Sequence, residues 1–199
     1  HNYQVLVSYT YSEAKDDGFT SAAAGTYGFT KVERYGTADR RHRLVFSGIV
    51  KLPAGFQISA IGDFRSSLPF SPTTSLDLNA DGYTGDLPAG VAVGSGCRGL
   101  DLAAVNAFRA SRNLAAVNSV ACPTYKNIDA RLSKTFTLNS GARAHRFELV
   151  AQLFNVLNQT NYNVPVNNLG SAPFGQVNSL LPNINAPSRQ IELAVRYSF

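Results

Sequence analysis

The sequence predicts an all-β fold: an antiparallel up-and-down transmembrane β-barrel fragment of about six strands with long extracellular loops. Three observations predict it. Six segments alternate apolar and polar side chains with period two, which gives each strand one greasy and one wet face. Each segment runs about 9 to 13 residues, matching the roughly 9 to 11 that a tilted strand needs to cross a bilayer. The connections alternate between tight turns and long loops, so every long loop leaves the same edge of the sheet.

The first segment is Tyr3 to Tyr11, where Tyr3, Val5, Val7, Tyr9 and Tyr11 share one face. In the second, Arg43 to Leu52, Leu44, Phe46, Gly48, Val50 and Leu52 lie opposite Arg43, Ser47 and Lys51. The third, Gly55 to Arg65, sets Phe56, Ile58, Ala60, Gly62 and Phe64 against Gln57, Ser59, Asp63 and Arg65. In the fourth, Lys126 to Leu138, Ile128, Ala130, Leu132 and Phe136 oppose Asn127, Asp129, Arg131, Ser133 and Thr135. The fifth sets Phe147, Leu149, Ala151 and Leu153 against Arg146, Glu148 and Gln152. The sixth, Gln190 to Phe199, sets Ile191, Leu193, Val195, Tyr197 and Phe199 against Gln190, Glu192, Arg196 and Ser198. In a barrel with lipid outside, the polar faces line the lumen, which assigns Asp63, Arg65, Asp129, Arg131, Glu148, Gln152, Glu192 and Arg196 to its wall.

Pro53-Ala54 joins the second and third segments and Asn139-Ser140-Gly141-Ala142 the fourth and fifth, both rich in turn residues. The other connections, residues 12–40, 66–125 and 157–187, run about 29, 60 and 30 residues, far beyond ordinary loops of compact domains. Tyr3, Phe56, Phe136, Phe147 and Phe199 fall near the short-turn edge of the apolar faces, as an aromatic girdle at a membrane interface would. A soluble β-sandwich would instead need polar outer faces and short loops at both edges. Six strands do not close a membrane barrel, for which about eight is the minimum. An open edge in lipid costs several kcal/mol per unpaired backbone group, so further strands or further copies are expected to complete the sheet.

Composition agrees. Hydrophobic residues are 44% and charged residues only 16%, which excludes a disordered chain. Sixteen glycines, nine prolines, nine tyrosines and twelve phenylalanines favour strands and turns. No run approaches the roughly 18 apolar residues of a membrane-spanning helix. The chain starts His1-Asn2-Tyr3 inside an alternating pattern and stops on a strand, Arg196-Tyr197-Ser198-Phe199. Residues 1–199 are therefore expected to be the C-terminal portion of a longer barrel domain.

Net charge is +5, and the densest basic cluster is Asp39-Arg40-Arg41-His42-Arg43. Such a run suits nucleic acid, lipid phosphates or an anionic ligand, or is a solvated face; with no nucleic-acid-binding pattern beside it, nucleic acid is not expected. Cys97 and Cys122, the only cysteines, lack C-x-x-C spacing and a nearby histidine. A disulfide closing a loop outside the cytoplasm fits them better than a metal site.

The sharpest local motif is Asp77-Leu78-Asn79-Ala80-Asp81-Gly82-Tyr83, which has the D-x-N-x-D-G opening of a calcium loop. Asp77, Asn79 and Asp81 would offer side-chain oxygens and Tyr83 its carbonyl. Pro88 stands where the bidentate glutamate belongs, leaving Asp86 as substitute at another spacing. A structural calcium ion and an Asx-rich surface turn both fit. Further on, Leu102, Val105 and Phe108 have helical spacing within Asp101 to Asn118, with Asp101 placed as N-cap. Arg109 and Arg112 on that helix face either a ligand, lipopolysaccharide included, or solvent. His1, His42 and His145 have no nucleophile motif around them, and the carboxylates Glu148 and Glu192 are accounted for by a lumen wall, so no enzyme is expected.

Four stretches carry a family resemblance: DRRHRLVFSGIVKLP at Asp39 to Pro53, NIDARLSKTF at Asn127 to Phe136, FELVAQLFNVLNQTNY at Phe147 to Tyr162, and RQIELAVRYSF at Arg189 to Phe199. The chain resembles the C-terminal barrel of TonB-dependent receptors, particularly the Oar-like group. The resemblance implies a barrel of about 22 strands with a plugged lumen in the outer membrane of a Gram-negative-type bacterium. It implies ligand binding at the outer mouth and import driven through the TonB complex, by way of a plug that these residues do not include. Val195, Tyr197 and Phe199 resemble the terminal signal read by the barrel assembly machinery. The transported ligand is not legible, and a passive porin or adhesin barrel is the alternative.

Overall fold

The computed structural model describes residues 2–20, 30–140, 143–182 and 187–199. Its strands are β1 (Tyr3–Tyr11), β2 (Lys15–Thr20), β3 (Thr30–Tyr35), β4 (His42–Leu52), β5 (Phe56–Arg65), β6 (Tyr125–Ser140), β7 (Arg143–Phe154) and β8 (Gln190–Ser198). One helix, α1 (Leu102–Ala110), lies between β5 and β6. Six strands form one sheet in the order β1-β4-β5-β6-β7-β8, every pair antiparallel. Among the described residues no helix is long and apolar enough to cross a membrane.

Register carries the two-faced pattern across the whole sheet, with single exceptions such as Ile49 on the polar face. Val5 meets Gly48, and the row continues through Ala60, Ala130 and Leu153 to Ile191. The adjacent row runs from Gln4 through Ile49, Ser59, Arg131 and Gln152 to Glu192 on the opposite face. A slip of one residue in any pair would exchange the faces of one strand, so a register kept through five pairings reflects selection on both faces. Gly62 has a packing reason as well: a Cβ there would enter the Phe46 ring, which lies across it from β4.

The apolar face is open rather than packed. Val5 is 64% exposed and Leu193 80%, and none of the buried core residues belongs to the six-stranded sheet. That core is Phe70, Leu87, Val91, Val105, Leu169 and Phe174, all contributed by the two later loops and α1. A sheet that shows this much apolar area to its surroundings is stable only where those surroundings are themselves apolar.

Three boundaries differ from the sequence expectation. The first long loop is not plain coil, because β2 and β3 pair into a separate hairpin whose sequences, KDDGFT and TKVERY, do not alternate. The turn between β4 and β5 is Pro53–Gly55, with Ala54 and Gly55 both at positive φ, so the next strand starts at Phe56. Helix α1 stops at Ala110, where the chain turns back so that the Leu114 N–H bonds the Arg109 carbonyl. The tight turn expected between β6 and β7 centres on 141–142, outside the described residues. Parts of the first and third long loops, 21–29 and 183–186, lie outside them too.

Candidate functional site

The long loops leave one edge of the sheet, and the described parts of the later two build a cap. Asp101 caps α1 by accepting from the Ala103 and Ala104 N–H groups, at 2.8 and 3.1 Å. The helix then buries Val105 and Arg109 against the loop core. Cys97 and Cys122 are disulfide-bonded across a Cα separation of 5.7 Å, closing the segment that holds the helix. On a chain-entropy view a closure of this length stabilises by about 3 kcal/mol.

Arg109 corrects the sequence reading, which left it facing ligand or solvent. It is 2% exposed, donating from Nε to the Ala115 carbonyl and from Nη1 to the Leu169 and Ser171 carbonyls, each at 2.8 Å. The guanidinium therefore clamps the third loop onto the helix of the second. Backbone bonds repeat the connection: Leu169 N–H to the Thr73 carbonyl at 2.8 Å, Thr73 N–H to Asn167 at 3.0 Å and Ala121 N–H to Gly175 at 2.8 Å. Asn161 then ties the third loop to the sheet, exchanging two amide bonds with the Lys126 backbone at 2.9 and 3.0 Å.

The first loop is held by a buried ion pair. Arg98 donates from Nε to Asp39 Oδ2 at 2.8 Å and from Nη2 to the Asp39 and Ser67 carbonyls, while Asp39 Oδ1 accepts the Ala14 N–H at 3.0 Å. Burial favours the neutral acid at Asp39. The Ala14 N–H, the Arg98 guanidinium and the charge of Arg41 outweigh it and hold the carboxyl below its ordinary value.

Between α1 and the 74–76 and 168–170 segments lies a cleft of about 300 Å³, lined by Leu76, Phe108, Leu114, Arg112, Thr74 and Asn168 among others. Its walls are fixed by the Asn168 amide donating to Ser75 Oγ at 2.6 Å, and Arg112 lies over the Phe108 ring at 5.8 Å. This is the described cavity best placed to take a small ligand from the loop side.

The calcium-like segment closes on its own backbone. Asp77 accepts from the Asp81 and Gly82 N–H groups, and Asp81 from that of Tyr83. Asp86 is turned inward, 1% exposed, and accepts from the Leu78 and Asn79 N–H groups. Asn79 joins Asp81 through its amide at 3.1 Å. Among the described residues no three His, Cys, Asp or Glu side chains converge as metal ligands would. Calcium has no part in the function proposed below.

On the sheet, the eight residues assigned to a lumen wall share the polar face, where several pair. Arg43 and Arg65 both reach Asp63, Arg131 reaches Glu148 at 3.1 Å, and Arg196 approaches Glu148 from the other side at 3.6 Å. Asp129 accepts from the Asn127 amide and the Asn155 N–H, and Gln152 faces Glu192 across strands. Val195 and Tyr197 lie on the opposite, apolar face of β8, where Tyr197 packs against Phe147 at 4.8 Å and Phe199 at 5.5 Å. What the sequence hid was the cap's internal wiring, Asp39–Arg98 and Arg109 above all, because their partners are remote in the chain.

No curated protein and no solved structure matches the chain significantly. A family described as outer membrane beta barrel domain matches residues 1–192. The two-faced antiparallel sheet, the loops gathered at one edge and this match agree: the chain belongs to the outer membrane beta barrel domain family, and its place is the outer membrane.

Proposed function

We propose that the chain is the C-terminal barrel region of a TonB-dependent transporter of the Oar-like kind. The loop cap takes a ligand at the extracellular mouth, and the polar face of the sheet lines the path inward. The observation that carries this reading is the cap. Its second and third loops share one core and the Arg109 clamp, and a disulfide closes the second, which favours a preorganised receptor surface over loose tethers. The cleft beside α1 offers a ligand apolar walls with Arg112, Thr74 and Asn168 at its rim. The paired charges on the polar face suit contact with a water-filled lumen and a plug, which further residues of the protein would supply. TonB and its energy-coupling partners would act through that plug, the barrel assembly machinery through Val195, Tyr197 and Phe199, and no catalytic role is assigned to any residue.

Liposome swelling on the protein as purified from the outer membrane tests this. A plugged receptor leaves sugar permeation at the level of empty liposomes, whereas an open porin, the alternative, speeds swelling in proportion to protein added. Uptake of the ligand that also ceases when TonB is deleted supports the transporter; uptake that persists without TonB contradicts it.

A further inference from the structure

The apolar face carries two lysines, one near each edge, and their surroundings differ. Lys134, at the short-turn edge, donates to the Ala54 carbonyl and lies over the Phe56 ring at 4.2 Å. Lys126, at the long-loop edge, makes no ion pair among the described residues, although its row is otherwise apolar or aromatic: Tyr9, Leu44, Phe64, Lys126 across four strands. Those residues, with His42 and Ser66, line a cleft of about 290 Å³ that opens on the apolar face. The Tyr9 hydroxyl and His42 Nδ1 are hydrogen-bonded at 2.9 Å, which fixes the ring and leaves Nε2 as its open edge. Arg40 donates to the carbonyl of the lining residue Ser66 at 2.6 Å, which adds a positive charge beside it.

An ammonium on a lipid-facing surface is costly unless it reaches the headgroup layer and finds an anion there. The cleft lies at the long-loop edge, where Leu44 and Phe64 share the row of Tyr9 and Lys126 and where His42, beside Tyr11, stands nearer the loops. We propose that this notch binds the phosphate of a phosphorylated glycolipid in the outer leaflet. The phosphate accepts from Lys126 Nζ and the His42 ring, and an acyl chain lies over Leu44 and Phe64. The proposal rests on the orientation in the functional reading above, with the long loops outside the cell, but not on transport.

The test uses protein extracted from the outer membrane in mild detergent, stripped of lipid and titrated with diphosphorylated lipid A, the same lipid dephosphorylated, or inorganic phosphate. Lipid adducts are counted by native mass spectrometry. Two charge-assisted hydrogen bonds predict about tenfold tighter binding of the phosphorylated form. Lys126→Gln should lose that preference, Lys134→Gln should keep it, and millimolar inorganic phosphate should not displace the lipid. Equal binding of the two lipids by the wild type, which requires no variant to fold, overturns the proposal, as does displacement by inorganic phosphate. Protease cleavage within the Asp77–Asp86 loop on intact cells checks the orientation separately, so failure there is distinguishable from failure of the notch.

Discussion

Asp39 shows how one side chain can govern a loop. It is wholly buried, yet it stays ionised because Ala14 and Arg98 donate to it. A carboxyl held below its unfolded value contributes stability that is complete above about pH 4 and is lost as pH falls through the lower folded value. Protection of the amides around Arg98 against exchange, corrected for the intrinsic pH dependence, should therefore fall below about pH 4 while that of the sheet does not. Asp39→Ala should cost about 3–5 kcal/mol, since it leaves Arg98 buried without its partner. Protection at Arg98 that stays constant through this range would contradict this. Arg109 makes the complementary case. Arg109→Met keeps much of the apolar stem but removes three hydrogen bonds and strands the buried Leu169 carbonyl, so the cap should lose about 3 kcal/mol, read as earlier proteolysis near 169–171.

Among the elements, each strand of the six-stranded sheet was legible because its two faces meet different surroundings, and alternation records that without any knowledge of partners. The hairpin of β2 and β3 was not legible. Its residues neither alternate nor resemble a turn-flanked strand pair, and only backbone pairing in the folded chain defines it. Arg109 was misread for a related reason: two of its three acceptors, Leu169 and Ser171, lie about 60 residues away, and no local pattern foretells a non-local clamp. Cys97 and Cys122 could be paired because the sequence offered no competitor. The bond holds the cap and not the sheet, so reduction should raise protease sensitivity between 97 and 122 and leave strand exchange unchanged. Should reduction also expose the strands, the cap and sheet are one cooperative unit and the division drawn above is wrong.

At the scale of the molecule, the distribution of apolar surface is the decisive fact. Among the described residues the six buried hydrophobic ones lie in the loops and α1, while rings and aliphatic chains across the sheet stand open, most of them on one side. Lys126 and Lys134 bracket that side on β6, eight residues apart, which at about 3.3 Å per residue is about 26 Å along the strand. Tilt by about 40° brings this to about 20 Å, which fits within the roughly 25 Å apolar band of outer-membrane barrels. Aromatic groups mark both limits, with Tyr9 and Tyr11 around His42 above and Phe147, Tyr197 and Phe199 below. Substituting Gly62 by Leu would add apolar area to this face and still destabilise it, because the Phe46 ring occupies the space; lower heat resistance of the folded form on a gel is the expected result.

The chain has no tryptophan, so a single one can report on each face without interference. Leu193 and Glu192 are neighbours on β8 that point to opposite sides. In bilayers carrying brominated acyl chains, Leu193→Trp should be strongly quenched and Glu192→Trp hardly at all, with aqueous acrylamide giving the reverse order. Equal quenching of the two, or stronger bromine quenching of Glu192→Trp, would contradict the assignment of the apolar face to lipid.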